Sequence, residues 1–296
     1  MRKLLLSLLP VVALIPSQVQ AVIFYDTGDA SYHTTAPTGS GQAALWDSQG
    51  SWLGGFLGTP ISSNQFISAA HIGGGIGDTI TFAAGTPNAG TYTVTAVHSS
   101  GSSDLRIFEV SGTFNSWVPL VTATPTTGSD YIVFGRGTQR GNVYSFEGTD
   151  RGWTWGAGDQ VMRWGTGTLG GTTSGGQYVY DTFSGLGSIT LSSGDSGGAL
   201  FVNDGGIWKL AGINYAVTGP YKETLNGTAF NAALYDQDGL YVGNAEVNGN
   251  GAFFSTSIAA ESAWIASVIP EPSVNALLIG ALAFGLAFRL SRTKRA

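Results

Sequence analysis

Apolar and polar residues alternate along this chain in short bursts rather than in helical stripes. The run Asp104-Leu105-Arg106-Ile107-Phe108-Glu109-Val110 has the two-residue period of a half-buried strand. Comparable runs of three to seven residues recur between glycine-rich turns: 91–97, 131–134, 143–146, 178–180, 199–202 and 208–213. Many short strands with frequent turn signals predict an all-β barrel or sandwich. A single helical period stands out near the end of the chain. Ile258, Glu261, Ser262, Ile265 and Ile269 fall near one face, and Ala259, Ala260 and Ala263 favour the helix. No internal repeat is visible. The stretch 135–187, rich in Gly, Thr and Trp, reads as long loops plugged by aromatics. Its Arg151-Gly152-Trp153-Thr154-Trp155 segment also suits a wall of a binding cleft.

Both ends depart from this pattern. Arg2 and Lys3 precede an apolar run from Leu4 to Ile15, and Val19-Gln20-Ala21 supplies small residues for cleavage. Residues 1–21 therefore read as an export signal cut after Ala21. At the other end Val274 to Phe288 is apolar apart from Asn275, and Arg289, Arg292, Lys294 and Arg295 follow. With Ser273 and Leu290 included, 273–290 is expected to cross a membrane with its basic end in the cytoplasm. These boundaries leave 22–268 as one folded domain and 269–296 as a tail.

Composition narrows the chemistry. The chain has no cysteine, which excludes thiol catalysis and cysteine-held zinc. Region 22–268 carries seven basic and eighteen acidic residues, a net charge of −11. Such a surface repels phosphate backbones, so nucleic acid is not an expected partner. No metal or cofactor is expected. Asp236-Gln237-Asp238-Gly239 lacks the downstream glutamate of a calcium loop and reads as a turn.

Gly194-Asp195-Ser196-Gly197-Gly198 is the most chemically suggestive segment. A serine hydroxyl attacks well only when a base removes its proton, and the resulting oxyanion needs donors fixed in advance. Gly194 permits a backbone turn that aims its own N–H and that of Ser196 at one point. The run also fits the Gly-x-Ser-x-Gly elbow of α/β-hydrolases, whose histidine follows the serine. Here His33, His71 and His98 all precede Ser196, which excludes that reading. His71 ends the apolar run Phe66-Ile67-Ser68-Ala69-Ala70, and Asp104 opens the alternating strand above. A carboxylate so placed can fix the histidine tautomer and stabilise the imidazolium. A subtilisin-like order would need an aspartate such as Asp29 or Asp47 before His71, and alternating helices that this chain lacks. His98 reads as non-catalytic, and His33 as an exposed residue of a polar segment.

Ser-Ala-Ala-His71, Asp104-Leu-Arg-Ile and Gly194-Asp195-Ser196-Gly197-Gly198, in that order, resemble the three signature blocks of trypsin-like (chymotrypsin-fold) serine peptidases. The resemblance spans roughly residues 50–268. It implies two antiparallel six-stranded β-barrels, a C-terminal helix and a cleft holding His71, Asp104 and Ser196. It further implies an oxyanion hole from the N–H groups of Gly194 and Ser196, and a polypeptide substrate. Thr190, six residues before the serine, would floor the primary pocket, with Asn214, Tyr215 and Val217 along its wall. An uncharged floor and a valine at the wall imply small or medium uncharged P1 side chains. In many members a freed N-terminus pairs with the aspartate beside the serine, here Asp195, and cleavage after Ala21 would expose Val22-Ile23. The alternative is a non-catalytic surface or matrix-binding protein on a peptidase fold.

Pro270-Glu271-Pro272, the apolar segment and the basic end together resemble the PEP-CTERM sorting signal of Gram-negative bacteria. That implies export across the inner membrane, an exosortase-like processing enzyme as partner, and a destination in the cell envelope, surface or extracellular matrix.

Overall fold

The computed structural model describes residues 21–269. The expected export segment (apart from Ala21) and the expected sorting tail (apart from Ile269) lie outside the described residues. No helix among the described residues is long and apolar enough to cross a membrane.

Six antiparallel strands close into a barrel in the first half of the chain. Around the barrel they run Gly50–Trp52, Phe56–Ser62, Gln65–Ala69, Leu105–Val110, Gly90–Ser99 and Thr79–Phe82. Alternation in the sequence becomes alternation of burial: Thr79–Phe82 runs exposed, buried, exposed, buried. Trp52, Phe66 and Phe108 meet at the centre, with ring centroids 4.7–5.0 Å apart. Each such ring removes enough apolar surface from water to contribute about 1.5–3 kcal/mol.

The second half is not the closed six-stranded barrel that the resemblance implied. It is an open sheet of seven strands, in the order Arg163–Thr168, Asp130–Gly135, Ala199–Asp204, Ile207–Val217, Gly251–Ser257, Tyr178–Phe183 and Gly171–Thr173. The strand that follows Asp130–Gly135 leaves the sheet. Thr138–Phe146 pairs instead with Thr149–Gly158, and Ala232–Leu234 joins them in a separate three-stranded sheet. Three register shifts along this hairpin bend it away from the main sheet. Trp153, Phe183 and Ile23 fill the space between.

Much of 135–187 is therefore strand, not the expected loops. Glycine lowers strand propensity, yet here it makes room for neighbours. A methyl group on Gly167, in the Arg163–Thr168 strand, would come within 2.6 Å of the Tyr131 hydroxyl. The C-terminal helix spans Ser262–Val268, later than its sequence pattern begins. Ile258 is buried through the sheet, its N–H donating to the Ala211 carbonyl at 3.0 Å. A short helix at Gln42–Asp47 had no signal in the periodicity.

The two halves are not independent. A continuous core runs from Ile67 and Ile107 of the barrel to Phe134, Leu200 and Ile213 of the open sheet. This shared packing fixes the cleft in which the three signature blocks meet.

Candidate active site

Strand register brings the histidine and the aspartate together. The Gln65–Ala69 and Leu105–Val110 strands are neighbours, with Ala69 opposite Leu105. One residue beyond that pair, the Ala70 N–H donates to the Asp104 carbonyl at 3.1 Å. The fully buried strand then ends in a single 3-10 turn, Ala70–Ile72, which lifts His71 to the surface. The His71 backbone N–H donates to Asp104 Oδ1 at 2.7 Å, and ring Nδ1 lies 2.6 Å from Asp104 Oδ2. Two bonds from one residue to one carboxylate fix both the position and the plane of the imidazole. With the proton on Nδ1, Nε2 is left as acceptor. Nε2 lies 2.8 Å from Ser196 Oγ.

Ser196 reaches this point on the turn before the Ala199–Asp204 strand. Gly194 has φ +94°, open only to glycine at little cost. A methyl group on Gly198 would overlap the Phe134 carbonyl oxygen, so that position also needs glycine. The Ser193 carbonyl accepts the Thr138 N–H at 2.9 Å, inside the protein. In a trans peptide C=O and N–H point opposite ways, so the Gly194 N–H faces the cleft. Among the described residues neither the Gly194 nor the Ser196 N–H has a protein acceptor. Both are free to receive an oxyanion.

Asp195 faces inward. Its Oδ1 accepts the Gly137 N–H and its Oδ2 the Ser192 N–H, each at 2.7 Å. The Ser192 hydroxyl and the Val22 backbone N–H also donate to this carboxylate. Burial nevertheless pushes its pKa up to about 6, because these neutral donors only partly replace water. Val22 is wholly buried with φ +54°, a strained conformation for a β-branched residue.

A cavity of about 160 Å³ opens beside Ser196. Asn214, Tyr215 and Val217 line it, together with Leu191, Ser192 and Trp155. Thr190 does not: it is buried and paired with Ile23, and the lining begins one residue later. The Asn214 side chain also has a structural task, its Nδ2 donating to the carbonyls of Phe134 (2.8 Å) and Asp195 (3.1 Å). Tyr215 meets His71 edge-on at 5.9 Å and stacks on Tyr178 at 5.1 Å. Trp155 comes from the segment whose aromatics suited a cleft wall, though the sequence did not single it out from Trp153. Its signal was the Trp153-Thr154-Trp155 alternation: the first indole enters the core, while the second borders the cavity.

The other histidines stand apart from this arrangement. His98 pairs with Glu109 at 2.9 Å. His33 is half-buried rather than exposed, stacked on Trp164 at 3.5 Å, and burial lowers its pKa. The 236–239 segment does form a turn, at Asp238–Gly239, and Asp236 just before it pairs with Arg151 at 2.6 Å. Among the described residues no group of three or more metal-ligating side chains occurs.

No protein-family model and no curated protein matches this chain. Solved structures do. A mutant of human heparin binding protein (CAP37), a chymotrypsin-fold serine protease homologue, superposes with a TM-score of 0.52 at 16% identity, covering 78% of this chain and 94% of its own. The fold is thus chymotrypsin-like, with one closed barrel and one open half.

Proposed function

We propose that this protein is a serine endopeptidase that cleaves polypeptides through an acyl-enzyme. The observation that carries the reading is the relay itself. The Ser196 hydroxyl, the His71 ring and the Asp104 carboxylate lie in line at 2.8 and 2.6 Å, beside two unengaged amide donors. As Ser196 Oγ attacks the scissile carbonyl carbon, His71 Nε2 takes its proton, and Asp104 stabilises the imidazolium. The carbonyl oxygen, now an oxyanion, accepts from Gly194 and Ser196 N–H. Each such donor lowers the barrier by about 3–4 kcal/mol. The imidazolium then protonates the leaving amine. Water, deprotonated by His71, attacks the acyl carbon and frees Ser196.

The cavity that would take the P1 side chain is small, and among the described residues its lining is uncharged apart from Asp195. The only carboxylate in its wall, Asp195, is turned inward and engaged by backbone N–H groups. Small or medium uncharged P1 residues fit this lining, with Trp155 and Val217 limiting its width. In the same reading, removal of the export segment after Ala21 turns the Val22 N–H into an α-ammonium beside Asp195. The buried carboxylate would then have a full positive partner. The Pro270-Glu271-Pro272 tail would direct the enzyme to an exosortase-like protein and on to the envelope, surface or matrix.

The test is covalent. A fluorescent organophosphonate should label the wild-type protein at Ser196 and leave His71→Ala and Ser196→Ala unlabelled. Equal labelling of all three would remove the peptidase reading and leave a binding protein on a peptidase fold.

A further inference from the structure

Glu261 lies outside the relay, yet its position bears on it. It is 7% exposed and stands immediately before the Ser262–Val268 helix. Its N–H donates to the Ile258 carbonyl, and its own carbonyl accepts the Ile265 N–H. Ile258 in turn is bonded to Ala211 in the Ile207–Val217 strand. The Glu261 backbone is thus fixed to the open half, which carries Ser196.

The side chain reaches the other half. Oε2 accepts the Ser100 hydroxyl at 3.0 Å, and Oε1 accepts the Ser102 hydroxyl at 3.1 Å. Ser100 Oγ itself accepts the N–H groups of Ser102 and Ser103, at 3.3 and 3.2 Å. The Ser100 N–H donates to the Leu105 carbonyl at 3.0 Å. The 100–103 loop is therefore wound around one hydroxyl and closed onto one carboxylate. The next residue in the chain is Asp104.

A nearly buried carboxylate is an expensive acceptor. Removing it from water is unfavourable, and neutral hydroxyls offset only part of that. Among the described residues Glu261 has no ion pair. Stability alone would be served as well by an apolar contact. A carboxylate does offer acceptors only, matched to two hydroxyl donors, and so allows one arrangement of the loop.

We infer that Glu261 is a positioning residue, which ties the loop delivering Asp104 to the half bearing Ser196 and thereby sets the His71–Asp104 pair against its nucleophile. This rests on the peptidase reading above. A shift of the relay by a fraction of an ångström is enough to slow acyl transfer, since misplacement by 1 Å can cost about 100-fold.

The test uses Glu261→Ala, Glu261→Gln and the double variant Ser100→Ala/Ser102→Ala. In Glu261→Ala, kcat on a peptide substrate should fall about 10-fold with KM within about twofold of wild type. Glu261→Gln, which keeps one acceptor oxygen, should recover part of that loss. The serine double variant should reproduce it and should not add to Glu261→Ala. A second readout needs no substrate: the downfield proton resonance of His71 Nδ1–H in the free protein should shift or broaden in Glu261→Ala. A lowered melting temperature with unchanged kcat and an unchanged resonance would overturn the inference, as would full additivity. If Glu261→Ala does not fold, Glu261→Gln and the serine double variant decide by the same readouts. A resonance that responds in a wild-type protein without peptidase activity would sustain the positioning role while ending the peptidase reading.

Discussion

The two halves of this molecule hold their share of the site by different means. In the closed barrel, His71 and Asp104 are placed by backbone register: Ala69 faces Leu105, and the next residue on each side completes the pair. In the open half Ser196 lies just before the ladder begins, where the Gly197 N–H and the Gly198 carbonyl bond to the Asn214 backbone at 3.1 and 2.8 Å. Its turn is held by buried polar side chains, Asp195 on Gly137 and Ser192, and Asn214 on Phe134 and on Asp195 itself. A closed barrel has no free edge and tolerates no slip. A turn hung on side chains can be re-aimed by changing one of them. The nucleophile is thus aimed by the side chains around its turn, whereas register joins the dyad and leaves only its alignment with the other half to Glu261.

Asp104→Asn separates register from chemistry in the barrel half. It leaves the register intact but favours the wrong histidine tautomer, and kcat should drop about 10⁴-fold with the melting temperature nearly unchanged. A modest loss of activity would mean that register alone suffices. Phe108→Ala, at the barrel centre, should do the reverse. It should cost about 3–5 kcal/mol in denaturant unfolding, while the protein that stays folded keeps its kcat.

Asp195 probes the side-chain-held half. Its folded pKa of about 6 exceeds the ordinary 3.8, so the native state binds this proton more tightly than the unfolded chain. The resulting stability is fully present below pH 3.8 and is lost as pH rises through about 6. Comparing urea midpoints of the chain retaining residues 1–21 with those of Asp195→Asn should show this pH window only in the former. A chain beginning at Val22 should have the window moved to lower pH, because an ammonium beside Asp195 stabilises its charged form. The smallest effect concerns the cavity. Trp155→Ala should improve kcat/KM for aromatic P1 residues about 10-fold, measured on matched peptides, and leave alanine at P1 little changed.

The sequence was most legible where local pattern and chemistry coincide. Leu105–Val110 alternates visibly, and Asp104 stands at its start, so both the strand and its carboxylate could be read. Ser196 announced itself through glycines that the φ of Gly194 and the crowding at Gly198 account for. What could not be read was closure. Whether a set of strands forms a barrel or an open sheet depends on contacts between residues distant in sequence, and the bulged Thr138–Gly158 hairpin settles it here. Glycine misled in the same region, since Gly165 and Gly167 lie in a strand against Val22, Ile189 and Tyr131. Thr190 shows the limit of counting back from a motif: one residue of offset separates the cavity wall from a buried ladder.

The absence of cysteine, joined to a core that runs unbroken through both halves, has a practical meaning. Nothing in the described fold is fastened by a bond that thiols can undo. Millimolar dithiothreitol or glutathione should leave its melting temperature unmoved, in contrast to exported proteins of similar shape that depend on such cross-links. Its shape is therefore indifferent to whether its surroundings are oxidising or reducing, and oxygen supply need not govern where it can work.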